Sequence, residues 1–415
     1  MFITSRVVGK SCKIALILMS FFVATTDAVA HGERAQQAGL RMRAVQWFDT
    51  KIEPLNVKIN EEIRITGKFV PSKFWPEHMK SPADAAFLNV GVPGPTFIRI
   101  DSRVNGVPMI RSTSFELGKT YNYEMRLKAR KAGRYHVHTV LSVEGTGPVI
   151  GPGAWVEVGG NEGDFENTIK TLTGDTIDLE TYGMSNIVLW SAIWFGVGLA
   201  WFIYWLLKCP IIVPRFKMVA RLGDKADEMI TNADKKAAAV FLGLTLFLIG
   251  FGYFWAQEKY PITTPLQTGK VHVPHRYDPG EDGVDVEVVD ARYRIPGRSF
   301  ELTLRVKNKT DQKVQLGNFT IANVRFINPK VLKVKPVDSH DLVASAGLRV
   351  DDGLIDVNET KEIKVFAEDA LWETYRLTSL IYDPDSRFAG MLFFFGDRGD
   401  RFHTEVGGPM LPVFM

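Results

Sequence analysis

Residues 187–207 read IVLWSAIWFGVGLAWFIYWLL, residues 237–256 read AAAVFLGLTLFLIGFGYFWA, and neither run holds a charged side chain. Each matches the roughly 20 residues a helix needs to cross the hydrocarbon of a bilayer. Both are rich in Trp and Tyr, which settle at membrane interfaces. A soluble core helix of this length would keep a polar face, and neither run has one. The pair predicts two transmembrane helices, with the charged segment 208–236 as the loop between them. That loop carries Lys208, Arg215, Lys217, Arg221, Lys225, Lys235 and Lys236 against Asp224, Asp227, Glu228 and Asp234. Short loops rich in Lys and Arg stay cytoplasmic, which sends both flanking regions to the opposite side.

The N-terminus points the same way. Arg6, Lys10 and Lys13 form a basic leader, residues 14–23 a short apolar core, and Ala28-Val29-Ala30 a small-residue cleavage signal. This is the pattern of an exported signal peptide, residues 1–30, with an uncleaved anchor as the alternative.

The flanking regions read as β. In 31–165, Val57, Ile59, Ile63 and Ile65 fall on odd positions, and Tyr121, Tyr123, Met125 and Leu127 repeat the alternation. Asn105-Gly106 is a hairpin signal, and Lys131-Ala132-Gly133 is another turn. Residues 166–186 and 257–283 read as linkers, the second proline-rich and extended. In 284–415, Val284-Val286-Val288, Phe300-Leu302-Leu304-Val306 and Ile363-Val365 alternate, with 369–380 as the one short helix. The expected architecture is mainly β with a membrane helix pair: one sandwich before the hairpin and one after it.

Composition narrows the chemistry. The 415 residues carry a net charge near balance, +3, with no basic stripe interleaved with aromatics, so nucleic acid is not an expected partner. The two cysteines, Cys12 and Cys209, lie in the leader and at the end of a span. The exported domains then hold no thiol, which excludes disulfide scaffolds, iron–sulfur clusters and a thiolate-ligated blue-copper centre.

Three histidines remain as candidate ligands. Cleavage after Ala30 makes His31 the first residue, offering its free amine and its ring. In RYHVHTV, residues 134–140, His136 and His138 lie two apart and share a strand face. Three imidazoles and an amine favour copper, and a three-histidine zinc site stays chemically open. Two exposed strand histidines are the bland alternative. His272 and His275 fall in the linker and read as solvated. His78, His340 and His403 have no partner in sequence and read as surface residues.

These segments carry a family resemblance. HGERAQQAGLRMRAVQWFD at 31–49, FLNVGVPGPTFIR at 87–99, GRYHVHT at 133–139, GPVIGPGAW at 147–155, LTGDTIDLETY at 172–182 and YDPDSRFAGMLFFF at 382–395 resemble the B subunits of the copper membrane monooxygenases, the particulate methane and ammonia enzymes. The likeness covers nearly all of the mature chain in order. It implies two cupredoxin-like β-sandwich domains joined by two transmembrane helices, in a bacterial inner (intracytoplasmic) membrane with both large domains periplasmic. It implies two integral-membrane partners, the A and C subunits, assembled as a trimer of three-subunit protomers among membrane lipid. It also implies a reaction inserting one oxygen atom of O2 into methane or ammonia, with a quinol as reductant. His31, His136 and His138 match the family's copper ligands, while a second histidine site of some members falls at Gln46 and Val70, so that site is expected to be absent. Glu33 is expected to cap or face solvent. Rival readings are a membrane-anchored copper-delivery protein, a secreted polysaccharide monooxygenase, which the two spans disfavour, and a metal-free scaffold.

Overall fold

The computed structural model describes residues 36–171, 173–207, 212–261, 269–295, 299–331, 334, 342–351, 353–374, 377–382 and 385–414. The leader, His31, Glu33 and His340 lie outside the described residues. The chain divides into two compact units: Met1–Phe165 with Gly269–Met415, and Glu166–Thr268.

The first unit holds two β-sandwiches. A short helix α1, Ala38–Arg43, leads into β1 Val45–Glu53, β2 Asn56–Lys58, β3 Glu62–Pro71, β4 Ala86–Gly91, β5 Phe97–Val104, β6 Val107–Pro108, β7 Tyr121–Ala129, β8 Gly133–Val143 and β9 Gly147–Gly159. One sheet runs β1-β3-β7-β5-β6 and the other β2-β9-β8-β4. The Val57-to-Ile65 alternation is split between two strands, because Asn60 turns the chain with φ +74°. All four of those apolar residues are nonetheless buried. Asn105 and Gly106 both take positive φ, 51° and 82°, as a type I′ hairpin turn requires. Between the sheets lie Trp47, Phe69, Tyr121, Tyr123, Met125 and Val137.

The second unit contains a small ribbon, β10 Thr168–Lys170 with β11 Thr176–Asp178, and then α2 Met184–Leu206, α3 Ile212–Leu222 and α4 Asn232–Lys259. Helices α2 and α4 are long and apolar enough to cross a membrane. Asp234 is the one described residue of the two that is buried, so their apolar faces are not spent on a protein core. They pair antiparallel: Trp190 meets Trp255 and Trp201 meets Phe241, while Asn186 donates to the Tyr260 hydroxyl at 2.8 Å. Thr231 and Asp234 close a capping box at the start of α4, and the Tyr204 hydroxyl donates to the same Asp234 at 2.7 Å.

The C-terminal sandwich comprises β12 Val284–Ile295, β13 Ser299–Asn308, β14 Val314–Ile321, β15 Val324–Ile327, β16 Leu342–Ala344, β17 Leu348–Asp351, β18 Leu354–Ile355, β19 Thr360–Glu368, the short helix α5 Leu371–Thr374, β20 Arg387–Gly396, β21 Arg401–Pro409 and β22 Leu411–Phe414. Its sheets are β17-β19-β13-β12-β22 and β16-β15-β14-β20-β21, with β18 on β14. Phe300, Leu302, Leu304 and Val306 bury one face of β13, as their alternation predicts.

The two sandwiches belong to one unit. Phe48 and Val70 pack with Met391, Phe393 and Phe395. Around this patch Arg43 pairs with Asp385 at 2.6 Å, Asp49 with Arg401 at 2.8 Å, and Lys68 with Asp278. The segment expected to be an extended linker is anchored from residue 269 onward. Val271 exchanges backbone and side-chain bonds with Ser112 and Thr113, and Asn105 donates to the Pro274 carbonyl at 3.0 Å.

Candidate metal centre

Strand β8 presents the histidine pair. Val137 and Leu141 point into the core, which by the two-residue period puts His136 and His138 on the opposite face. The two rings stand 4.2 Å apart between centroids with planes at 90°. His136 is half-buried and His138 buried.

A bulge in β9 fixes this geometry. His138 pairs with Gly153 and Val140 with Ile150, so Gly151 and Pro152 together oppose Thr139 and β9 carries one extra residue. Such a bulge bends one strand and re-aims the carbonyls along it. Nδ1 of His138 lies 3.1 Å from the Gly151 carbonyl oxygen. A carbonyl only accepts, so Nδ1 carries the proton and donates, and Nε2 is the ring nitrogen that bears the lone pair. Two of the three glycines of GPVIGPGAW have a steric reason. A Cβ at Gly153 would sit 2.5 Å from His138 Nδ1 and 2.7 Å from the Val137 carbonyl, and one at Gly151 would sit 2.7 Å from the Trp47 ring.

Trp155 occupies the cross-strand position facing His136, with ring centroids 4.8 Å apart. The Arg134 guanidinium lies 4.9 Å from the same indole. Sequence reasoning missed Trp155; its signal was the last residue of GPVIGPGAW, which falls opposite His136 only once the bulge sets the register.

Among the described residues no group of three or more His, Cys, Asp or Glu side chains could hold a metal. Two adjacent imidazoles, one with its tautomer fixed, fit copper or zinc and do not fit calcium or magnesium, which want oxygen ligands. A further donor has to come from outside that set. Gln36, at the start of the described chain, is clasped to β9: its Nε2 donates to the Pro148 carbonyl at 2.5 Å and its Oε1 accepts from the Ile150 amide at 3.2 Å. It is therefore held one residue from the glycine that orients His138.

Gln46 and Val70 are cross-strand partners in β1 and β3 and share a face. Gln46 donates to the Met42 carbonyl at 2.5 Å, and Val70 sits in the apolar patch between the sandwiches. Two histidines at these positions would face each other; an amide and an isopropyl group offer a metal no such chelate.

The other histidines separate. His272 is exposed and His78 mostly so. His275 is partly buried, 3.5 Å from Glu281 and against the Tyr121 ring, so the solvated reading fails for it. His403 is not a surface residue. It is 4% exposed, packs against Phe48 and lies 3.2 Å from the Thr120 hydroxyl. It was misread because β21 places Arg401, His403 and Glu405 on one face, and the N-terminal sandwich covers that face. Burial pushes the His403 imidazole down to about 4. Burial pushes the Glu405 carboxyl up to about 7, although it accepts from the Lys73 amide at 2.9 Å.

Residues 32–414 match the family model for the monooxygenase B-subunit protein. The particulate methane monooxygenase alpha subunit of Methylococcus capsulatus (strain ATCC 33009 / NCIMB 11132 / Bath) is 44% identical over 406 residues, covering 97% of each chain. The chain belongs to the monooxygenase B-subunit family. As a member of that family with two candidate spans, it is a membrane-associated component of a multi-subunit monooxygenase. Among solved structures, the cupredoxin domain of amoB from Nitrosocaldus yellowstonii aligns with 30% of this chain and 92% of its own at 16% identity and a TM-score of 0.23. A PapD-like domain of human CEP192 aligns with 36% of this chain and 99% of its own at 13% identity and a TM-score of 0.18.

Proposed function

We propose that this chain is the copper-binding B subunit of a complex that oxidises methane to methanol with O2, and that His31, His136 and His138 hold the copper. Support comes from one observation above all: two imidazoles stand 4.2 Å apart with the Nδ1 of His138 bonded to Gly151. Gln36 adds to it. Five residues of chain reach at most about 17 Å, so a clasp at Pro148 and Ile150 keeps His31 within range of His138. Copper supplies the redox chemistry with O2 when bound. The protein's part is to present Nε2 of His138, to fix its tautomer, and to keep the chain start within reach of it. Methane is preferred over ammonia because the 44%-identical relative is named for methane. In this reading residues 1–30 are removed, both sandwiches are periplasmic, a quinol reduces the complex, and the A and C subunits complete a trimeric assembly in the inner membrane. C–H oxidation at this copper is a separate claim.

The test is metal analysis of the detergent-purified complex with N-terminal sequencing, on wild type and on His136→Ala/His138→Ala. Copper in wild type, its loss in the variant, and a mature chain starting at His31 are expected. Copper unchanged in the variant, or a different first residue, would overturn the site and leave a membrane-anchored scaffold or copper-delivery protein. Product analysis with methane and with ammonia decides the substrate.

A further inference from the structure

We infer that helix α3, Ile212–Leu222, lies along the surface of an anionic lipid bilayer and holds the connection between the two spans there. It is an eleven-residue helix, half the length needed to cross. Phe216 is 72% exposed, and Met218, Val219 and Leu222 are about as exposed as one another, at 41%, 42% and 40%. Water disfavours that much apolar surface on one short helix. The spacing separates two faces. Phe216, Val219 and Ala220 fall together at the three- and four-residue repeat, and Lys217 and Arg221 fall together on the other side. Basic residues opposite an aromatic and aliphatic face are the pattern of a helix that lies in the headgroup layer.

Position in the chain limits what can cover this face. Helix α2 ends at Leu206 and α4 begins at Asn232. If those two helices cross a bilayer, α3 starts within six residues of its surface, a reach of about 20 Å. Between positions 208 and 236 there are seven Lys and Arg against four Asp and Glu, and one of those acids, Asp234, is buried at the start of α4. Lys217, Arg221 and Lys225 are all exposed. An excess of basic side chains beside an apolar face fits anionic phospholipid headgroups. The inference rests on the candidate spans and is independent of the copper site.

The experiment uses the full-length chain in its complex, in a Cys209→Ser background, with spin labels on Phe216→Cys, Lys217→Cys, Val219→Cys and Arg221→Cys. The complexes are placed in phosphatidylcholine vesicles with and without phosphatidylglycerol, and the accessibility of each label to oxygen and to an aqueous nickel chelate is measured by paramagnetic resonance. With phosphatidylglycerol, the oxygen-to-nickel ratio at 216 and 219 should exceed that at 217 and 221 by at least about threefold, and the contrast should shrink without it. Equal ratios at all four sites would put the helix in water. Protection of 216 and 219 from both reagents would put a protein surface there. Contrast unchanged by the anionic lipid would remove the electrostatic part. Any of the three overturns the inference as stated.

Discussion

His138 and Gly151 are joined by one hydrogen bond, 3.1 Å from ring Nδ1 to carbonyl oxygen, and that bond decides which ring nitrogen carries the proton. The glycine two residues on protects it. In Gly153→Ala the new methyl meets His138 Nδ1 at 2.5 Å and the Val137 carbonyl at 2.7 Å. The ring could rotate away, but the carbonyl cannot. Overpacking of this kind costs about 1–3 kcal/mol, and disturbing the partner of a metal-ligating imidazole costs about 10–100-fold in metal affinity. Gly159→Ala in the same strand has nothing within 4 Å of its Cβ and serves as the control. Copper per chain and melting temperature are the readouts. Wild-type values for both in Gly153→Ala would sink the claim that this glycine positions His138.

The buried pair on β21 makes a pH prediction in which two slopes oppose. His403 titrates at about 4 in the folded chain, below its ordinary 6.5. Between these values the unfolded chain takes up the proton and the folded chain does not, so stability falls as pH drops from 6.5 to 4. Glu405 titrates at about 7, above its ordinary 4.5. There the folded chain keeps a proton that the unfolded chain has lost, so stability falls as pH rises from 4.5 to 7. Each contribution is on the order of 3 kcal/mol, and in wild type they largely cancel. His403→Gln should therefore lose stability as pH rises through this window, and Glu405→Gln should gain it. Melting temperatures of the purified complex from pH 4 to 8 test this, and parallel profiles for the three proteins would show that these groups do not titrate as stated.

What could be read in the sequence was what local chemistry decides. An uncharged apolar run of span length is legible because length and hydropathy are properties of the segment alone. The β alternation is equally local, and it put His136 and His138 on one face correctly. Burial of His403 was illegible, since Arg401, His403 and Glu405 look like a solvent face until a second sandwich covers it. The anchoring of residues 269–283 was hidden for the same reason: its partners Asn105, Ser112 and Thr113 lie more than 150 positions back in the chain. The β9 bulge was written in GPVIGPGAW, but its effect on register appears only when β9 meets β8.

The ion pair between Asp49 of β1 and Arg401 of β21 crosses between the two sandwiches, with side chains 18% and 23% exposed. Arg401→Met keeps most of the side-chain volume and leaves the Asp49 carboxylate without its guanidinium partner. Loss of one member of a fully buried pair costs about 3–5 kcal/mol, and with this exposure about 1–3 kcal/mol is expected. Asp49 has φ +55°, a conformation Asn tolerates, so Asp49→Asn removes the charge without new backbone strain. The double variant should be more stable than the sum of the two single losses predicts, by about 0.5–3 kcal/mol. Denaturation of all four proteins measures this, and strict additivity would mean that the pair contributes nothing to holding the sandwiches together.

Trp155 offers a direct reading of the metal. Its ring lies 4.8 Å from that of His136, well within the range over which a paramagnetic copper(II) ion quenches indole emission. Copper(II) added to metal-depleted protein should therefore quench part of the tryptophan fluorescence. In Trp155→Phe that part should shrink while copper uptake by metal analysis stays within about twofold, because Trp155 contributes no ligand atom. His136→Ala should lose both quenching and uptake. Quenching that is undiminished in Trp155→Phe, with uptake intact, would place the copper nearer another of the nine tryptophans and away from this strand pair.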